Sequence, residues 1–182
     1  MPKSRYYKMI ASAMLIAVSI LLTRLFAGNF LVLGVPAARF SLGFLPIMLA
    51  GVLLGPGWGA VVGLIADALG FFLFPNGVYF PPIATTSMLA GFLPGLFMLL
   101  WGRKSRRRRI FCIWGSVAAV QILGSLLLQT YWLSLLYGKG FIALVGPRAV
   151  ISIVLIPVYA LLIQLISAAL HKAGLAPNLT RK

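Results

Sequence analysis

The stretch Leu54-Gly55-Pro56-Gly57-Trp58-Gly59-Ala60-Val61-Val62-Gly63-Leu64-Ile65-Ala66-Asp67 sets the terms for the whole chain. Gly55-Pro56-Gly57 spells a tight turn between two apolar runs. The run after it is long enough to read as a membrane-spanning helix, roughly 57–74. Gly55, Gly59, Gly63 and Asp67 recur every four residues and share one stripe of that helix or its entry turn. Small residues at that spacing let another backbone approach closely. Asp67, about 15 Å along the helix, therefore faces protein and not lipid.

The remaining chain has the same character. Its 182 residues are 62% hydrophobic and only 9% charged, with a mean hydropathy of +1.05. Soluble domains carry roughly 25% charged residues, and disordered chains are poor in apolar ones. Apolar runs bounded by Gly, Pro and basic punctuation predict six helices, at roughly 9–27, 40–54, 57–74, 84–102, 110–133 and 147–171. The chain thus reads as an all-α integral membrane protein with one domain. Gly28 to Ala38 reads as a connection whose apolar Phe30-Leu31-Val32-Leu33 folds back on the protein. The first helix reads as retained and not as a signal peptide, because Arg24 interrupts its far end and no cleavage site is convincing.

Sixteen Lys and Arg face one acid, for a formal net charge of +15. With both termini cytoplasmic, Lys3, Arg5, Lys8, the Arg103–Arg109 loop, Lys172, Arg181 and Lys182 all lie inside, as the positive-inside rule asks. Topology accounts for the basic loop without nucleic acid, and membrane lipid headgroups are its natural contacts. Four bases remain on the outer side: Arg24, Arg39, Lys139 and Arg148. The three arginines share one depth, near the ends of the first, second and sixth helices. Only one acid exists to pair with them, and guanidinium forks suit carboxylate or phosphate. Together they predict an anionic ligand.

Two readings of Asp67 are open: a structural acceptor for a neighbouring helix, or a receptor for ligand N–H donors. Tyr79, Phe80, Gln129, Tyr131, Trp132, Tyr137 and Phe141 gather on the outer side. An interfacial aromatic belt explains most of them, and the rest offer stacking walls for a flat ligand. Thr85 and Thr86 read as caps of the fourth helix. Ala13 and Ala17 form a small-xxx-small face on the first helix. No Walker loop is spelled. Lone His171 and Cys112 assemble no metal site, no cofactor is called for, and no carboxylate pair exists for acid–base work.

The chain resembles the S-components of energy-coupling factor (ECF) vitamin transporters, from about Ala11 to His171. Ala13-Met14-Leu15-Ile16-Ala17 is similar to that family's A-x-x-x-A docking motif. Arg39-Phe40-Ser41-Leu42-Gly43-Phe44-Leu45-Pro46, the Gly-Pro turn, Ala66-Asp67-Ala68-Leu69-Gly70 and Phe74-Pro75-Asn76-Gly77-Val78-Tyr79-Phe80-Pro81 resemble the folate-specific branch. Pro82 stands where the family has glycine. The resemblance implies a non-enzymatic subunit of the bacterial cell membrane that binds folate or reduced folate. It also implies docking on an energising module, a transmembrane coupling subunit with two ATPases. The arginines then receive the glutamate carboxylates, Asp67 the pterin donors, and Phe80, Tyr131 or Trp132 the benzoyl ring. An S-component for another vitamin is the nearest variant, and a small membrane enzyme acting on lipid phosphates the alternative from another class.

Overall fold

The computed structural model describes residues 3–25, 27–32, 35–73, 81–102, 106–138 and 141–172. The order is α1 (Lys3–Leu25), β1 (Ala27–Val32), β2 (Val35–Ser41), α2 (Phe44–Leu54), α3 (Pro56–Leu73), α4 (Pro81–Trp101), α5 (Arg106–Ala119), a π-helical segment (Val120–Leu128), α6 (Gln129–Tyr137) and α7 (Phe141–Lys172). The π segment joins α5 to α6 as one long rod. Among the described residues, five helical stretches are long and apolar enough to cross a membrane: Tyr6–Thr23, Pro56–Leu73, Pro82–Trp101, Arg107–Leu135 and Leu144–Leu170.

The membrane-spanning part is helical, as the hydropathy predicts, but several boundaries differ: α1 starts at Lys3 and not near 9, α7 starts at Phe141 and not near 147, and the second helix is shortened at its start. The connection after α1 is an antiparallel β-hairpin, with Ala27 opposite Ser41 and Val32 opposite Val35. Apolar and β-branched side chains favour the extended backbone here. Pro36 lacks the donor a regular ladder needs, and the register slips beside it, leaving Ala37 as the extra residue on β2. The hairpin takes residues 40 and 41 away from the second helix. α2 keeps 11 residues, about 16 Å of helix, against a hydrocarbon core of about 30 Å.

α2 compensates by being central. Leu45 to Val52 is buried throughout, as expected of a helix apolar on every side. α2, α3 and α4 pack on one another along glycines. A Cβ at Gly51 would overlap the Gly91 carbonyl oxygen, and one at Gly91 would overlap that of Gly59. A Cβ at Gly63 would overlap the Ser87 carbonyl oxygen, and one at Gly95 would lie 2.5 Å from Pro56 N. The four-residue stripe on α3 thus brings backbone against backbone. Gly55 turns the chain at φ +101°, a conformation that disfavours any Cβ.

Around this trio, α1 packs on α2 and α3, α5 on α4, and α7 on α5, the π segment and β2. Met48, Val62, Ile113, Val117, Tyr159 and Ile163 form the centre of the core.

Candidate ligand-binding site

The site is built at the hairpin end of the bundle. Ser19 Oγ in α1 donates to the Gly43 carbonyl at 2.8 Å, and Gly43 lies so close to Thr23 that a Cβ would overlap its hydroxyl. These contacts pin the end of α1 to the start of α2. Arg24 occupies the last turn of α1. Arg39 sits on β2 opposite Asn29, and β2 packs against α7. Arg148 lies seven residues into α7. The elements carrying the three predicted arginines therefore meet at one end of the molecule.

Arg148 is only 5% exposed. Its Nη1 donates to the Ser125 carbonyl at 3.1 Å, in the π segment of the neighbouring rod. Thr130 Oγ1 donates to the same oxygen at 3.4 Å. The widened helix explains this convergence. Its hydrogen bonds run five residues back, as where Gln129 N–H reaches the Gly124 carbonyl, and π turns are frequent at functional sites. A buried guanidinium bears a large desolvation cost, and a planar fork held at this depth suits a carboxylate or phosphate.

Two further polar groups face inward from the same rod. Gln121 is 2% exposed, and its Nε2 has no hydrogen-bond partner. Thr130 is fully buried. Neither stands out in the sequence as a site residue, although an amide within an apolar run is the signal of an intramembrane functional group. Gln129 and Trp132 are half-buried, while Tyr131 turns outward, 51% exposed. The Tyr131 and Trp132 rings meet edge to face at 5.2 Å between centroids. Phe80 lies outside the described residues, as do Tyr79 and Lys139.

Asp67 sits on the α3–α4 seam, and Ser87 Oγ donates to its Oδ1 at 3.2 Å. The glycine stripe thus ends on a hydrogen-bonded carboxylate, half-buried in the bundle. Thr85 and Thr86 do not cap α4. The helix starts earlier, at Pro81, and their hydroxyls donate to the Pro82 and Ile83 carbonyls. On α1, Ala13 and Ala17 are both exposed, beside Ile10, Met14, Val18 and Leu21. The small-residue face is left open and not used inside the bundle.

The model of the family "ECF transporter, substrate-specific component" matches residues 7–167. The chain belongs to this ECF family. It is a multi-pass protein of the bacterial plasma membrane. Among its relatives, the folate transporter FolT of Clostridium novyi (strain NT) is 30% identical over 155 residues, 85% of this chain and 84% of that one. FolT of Leuconostoc mesenteroides is 23% identical over 162 residues, 86% and 82% of the two chains. A crystal structure of FolT bound with folic acid superposes with a TM-score of 0.71 at 27% identity, over 84% of this chain and 87% of that one. The S component of a bacterial ECF transporter matches with a TM-score of 0.68 at 25% identity, over 91% and 95%. The family is one of transporter subunits and not of enzymes acting on lipid phosphates.

Proposed function

We propose that this chain is the folate-binding subunit of an ECF-type vitamin uptake transporter. It takes folate or reduced folate from outside and delivers it with an ATP-driven energising module, a coupling subunit and two ATPases. The observation that carries this reading is the buried Arg148 at the hairpin end, in a chain related to FolT over most of its length. Folate brings two glutamate carboxylates and a pterin with adjacent donors and acceptors. Arg148, with Arg24 and Arg39 on the neighbouring elements, receives the carboxylates. Asp67 and Gln121 supply an acceptor and a donor for the pterin, and Gln129 and Trp132 flank the ring system. Tyr131 belongs with the interfacial aromatics.

In this reading both termini are cytoplasmic and the chain makes six passes, α2 and the hairpin together completing the second. The exposed Ala13–Ala17 face is the docking surface for the module, because exposed small residues admit a partner helix at short range.

The test is ligand identification on protein purified in detergent. A pterin absorbance that co-elutes, or tryptophan quenching that saturates at submicromolar folate, supports the assignment. Saturation by another vitamin, with none by folate or folinate, transfers the site to that vitamin.

A further inference from the structure

The end of the bundle opposite the hairpin carries a second feature. α4 arrives there with Gly95 against Pro56 of the α2–α3 turn, and α5 departs from it at Arg106. Between them lies a groove of about 320 Å³, lined by Phe97 and Trp101 of α4 and by Arg108, Phe111 and Cys112 of α5. The spacing explains the lining. Phe97 and Trp101 are four apart on one helix face, and Arg108 shares a face with Phe111 and Cys112 on the other. Phe97 and Trp101 meet edge to face at 5.5 Å. Trp101 is 58% and Phe111 77% exposed.

The groove sits at the boundary of the membrane by two independent measures. The apolar span of α4 ends at Trp101, and that of the rod begins at Arg107. Arg108 is exposed at this boundary. The chain's single acidic side chain, Asp67, is eleven residues beyond Pro56 along α3 and is bonded to Ser87. A side-chain carboxylate of this protein is therefore not the counter-ion of Arg108. The helix dipole also disfavours cations in the first turn of α5, where four arginines stand in succession.

We infer that this groove binds an anionic phospholipid, its phosphate on Arg108 and its glycerol and acyl chain against Phe97, Trp101 and Phe111. Apolar aromatic walls at the interface fit a lipid and add nothing for a free phosphate ion. A zwitterionic headgroup brings its own cation up to Arg108, so a headgroup with net negative charge is favoured there. The groove lies between α4 and α5, separate from the exposed Ala13–Ala17 face of α1.

The inference is tested on the full-length protein by native mass spectrometry, with phosphatidylglycerol and phosphatidylcholine of matched acyl chains added to the detergent solution. The expected result is about fivefold greater retention of phosphatidylglycerol, the effect of one well-placed cation. Arg108→Gln brings that ratio to about one, while Arg107→Gln, outside the groove, keeps it. Equal retention of the two lipids by the wild type overturns the inference. So does an unchanged ratio in Arg108→Gln, or displacement of the lipid by inorganic phosphate. If Arg108→Gln does not elute as a monodisperse peak, Phe111→Ser serves instead. Its loss of bound phosphatidylglycerol is expected, and its full retention is disproof.

Discussion

Ser87 donates its hydroxyl to Asp67 Oδ1 at 3.2 Å, one α3 turn beyond the point where Gly63 presses on the Ser87 carbonyl. A single α4 residue therefore engages α3 twice, once by backbone contact and once by hydrogen bond. The carboxylate is positioned by the same glycine stripe that allows the helices to touch.

Ser87→Ala removes that hydrogen bond and should lower stability by about 1 kcal/mol. Asp67→Asn keeps an acceptor oxygen and should be tolerated by the fold, while folate affinity falls. Thermal unfolding in detergent and folate titration separate the two effects. An unchanged melting temperature in Ser87→Ala would mean the contact adds nothing.

The glycines offer a sharper contrast. Gly63→Val drives its side chain into the α4 backbone and should destabilise by about 3 kcal/mol or more. Gly70 lies on the same helix, and a Cβ there would meet nothing within 4 Å. Gly70→Ala should be neutral or stabilising by up to about 1 kcal/mol. Melting temperatures of the two variants, measured side by side, check the pair.

Arg148→Ala should weaken folate binding about tenfold or more, and Arg148→Lys should recover part of the loss by restoring charge without the fork. A pterin lacking the glutamate should lose little in either variant. Titration of both ligands decides the matter, since equal loss would remove Arg148 from the glutamate site.

Gln121→Leu replaces a buried amide whose Nε2 has no hydrogen-bond partner by an apolar group of similar size. Without ligand the variant should be as stable as the parent or more so, because an unsatisfied polar group costs about 1–3 kcal/mol. Its folate affinity should nonetheless fall. Retained affinity would assign Gln121 to the core alone.

Ala13→Trp adds bulk to the exposed face of α1 and should abolish folate uptake in cells while leaving binding by the purified protein intact. Parallel loss of binding would show that Ala13 serves the fold and not the partner.

Hydropathy and punctuation alone locate the five long apolar helices among the described residues, because burial in lipid demands a long run of apolar residues that any window detects. The four-residue stripe places Asp67 against protein, since small side chains and a charge on one helical face have few other uses. The excess of outer arginines over acids points to an anion, because guanidinium forks suit carboxylate or phosphate and the chain offers a single carboxylate side chain. Local sequence does not reveal the hairpin at Ala27–Ser41, whose apolar residues fit strand, helix or coil until β2 finds α7. Nor does it reveal the widened turns at Val120–Leu128. In an uninterrupted α-helix Tyr131 would share a face with Gly124, seven residues earlier. With wider turns each residue advances less around the axis, so Thr130 and Leu133 are buried and Tyr131 points out. Composition and periodicity determined which segments enter the membrane, because transfer into lipid is additive along the chain. Which side chains meet there was decided only by tertiary packing, because the hydrogen-bond register that turns α6 depends on neighbours as distant in sequence as Arg148.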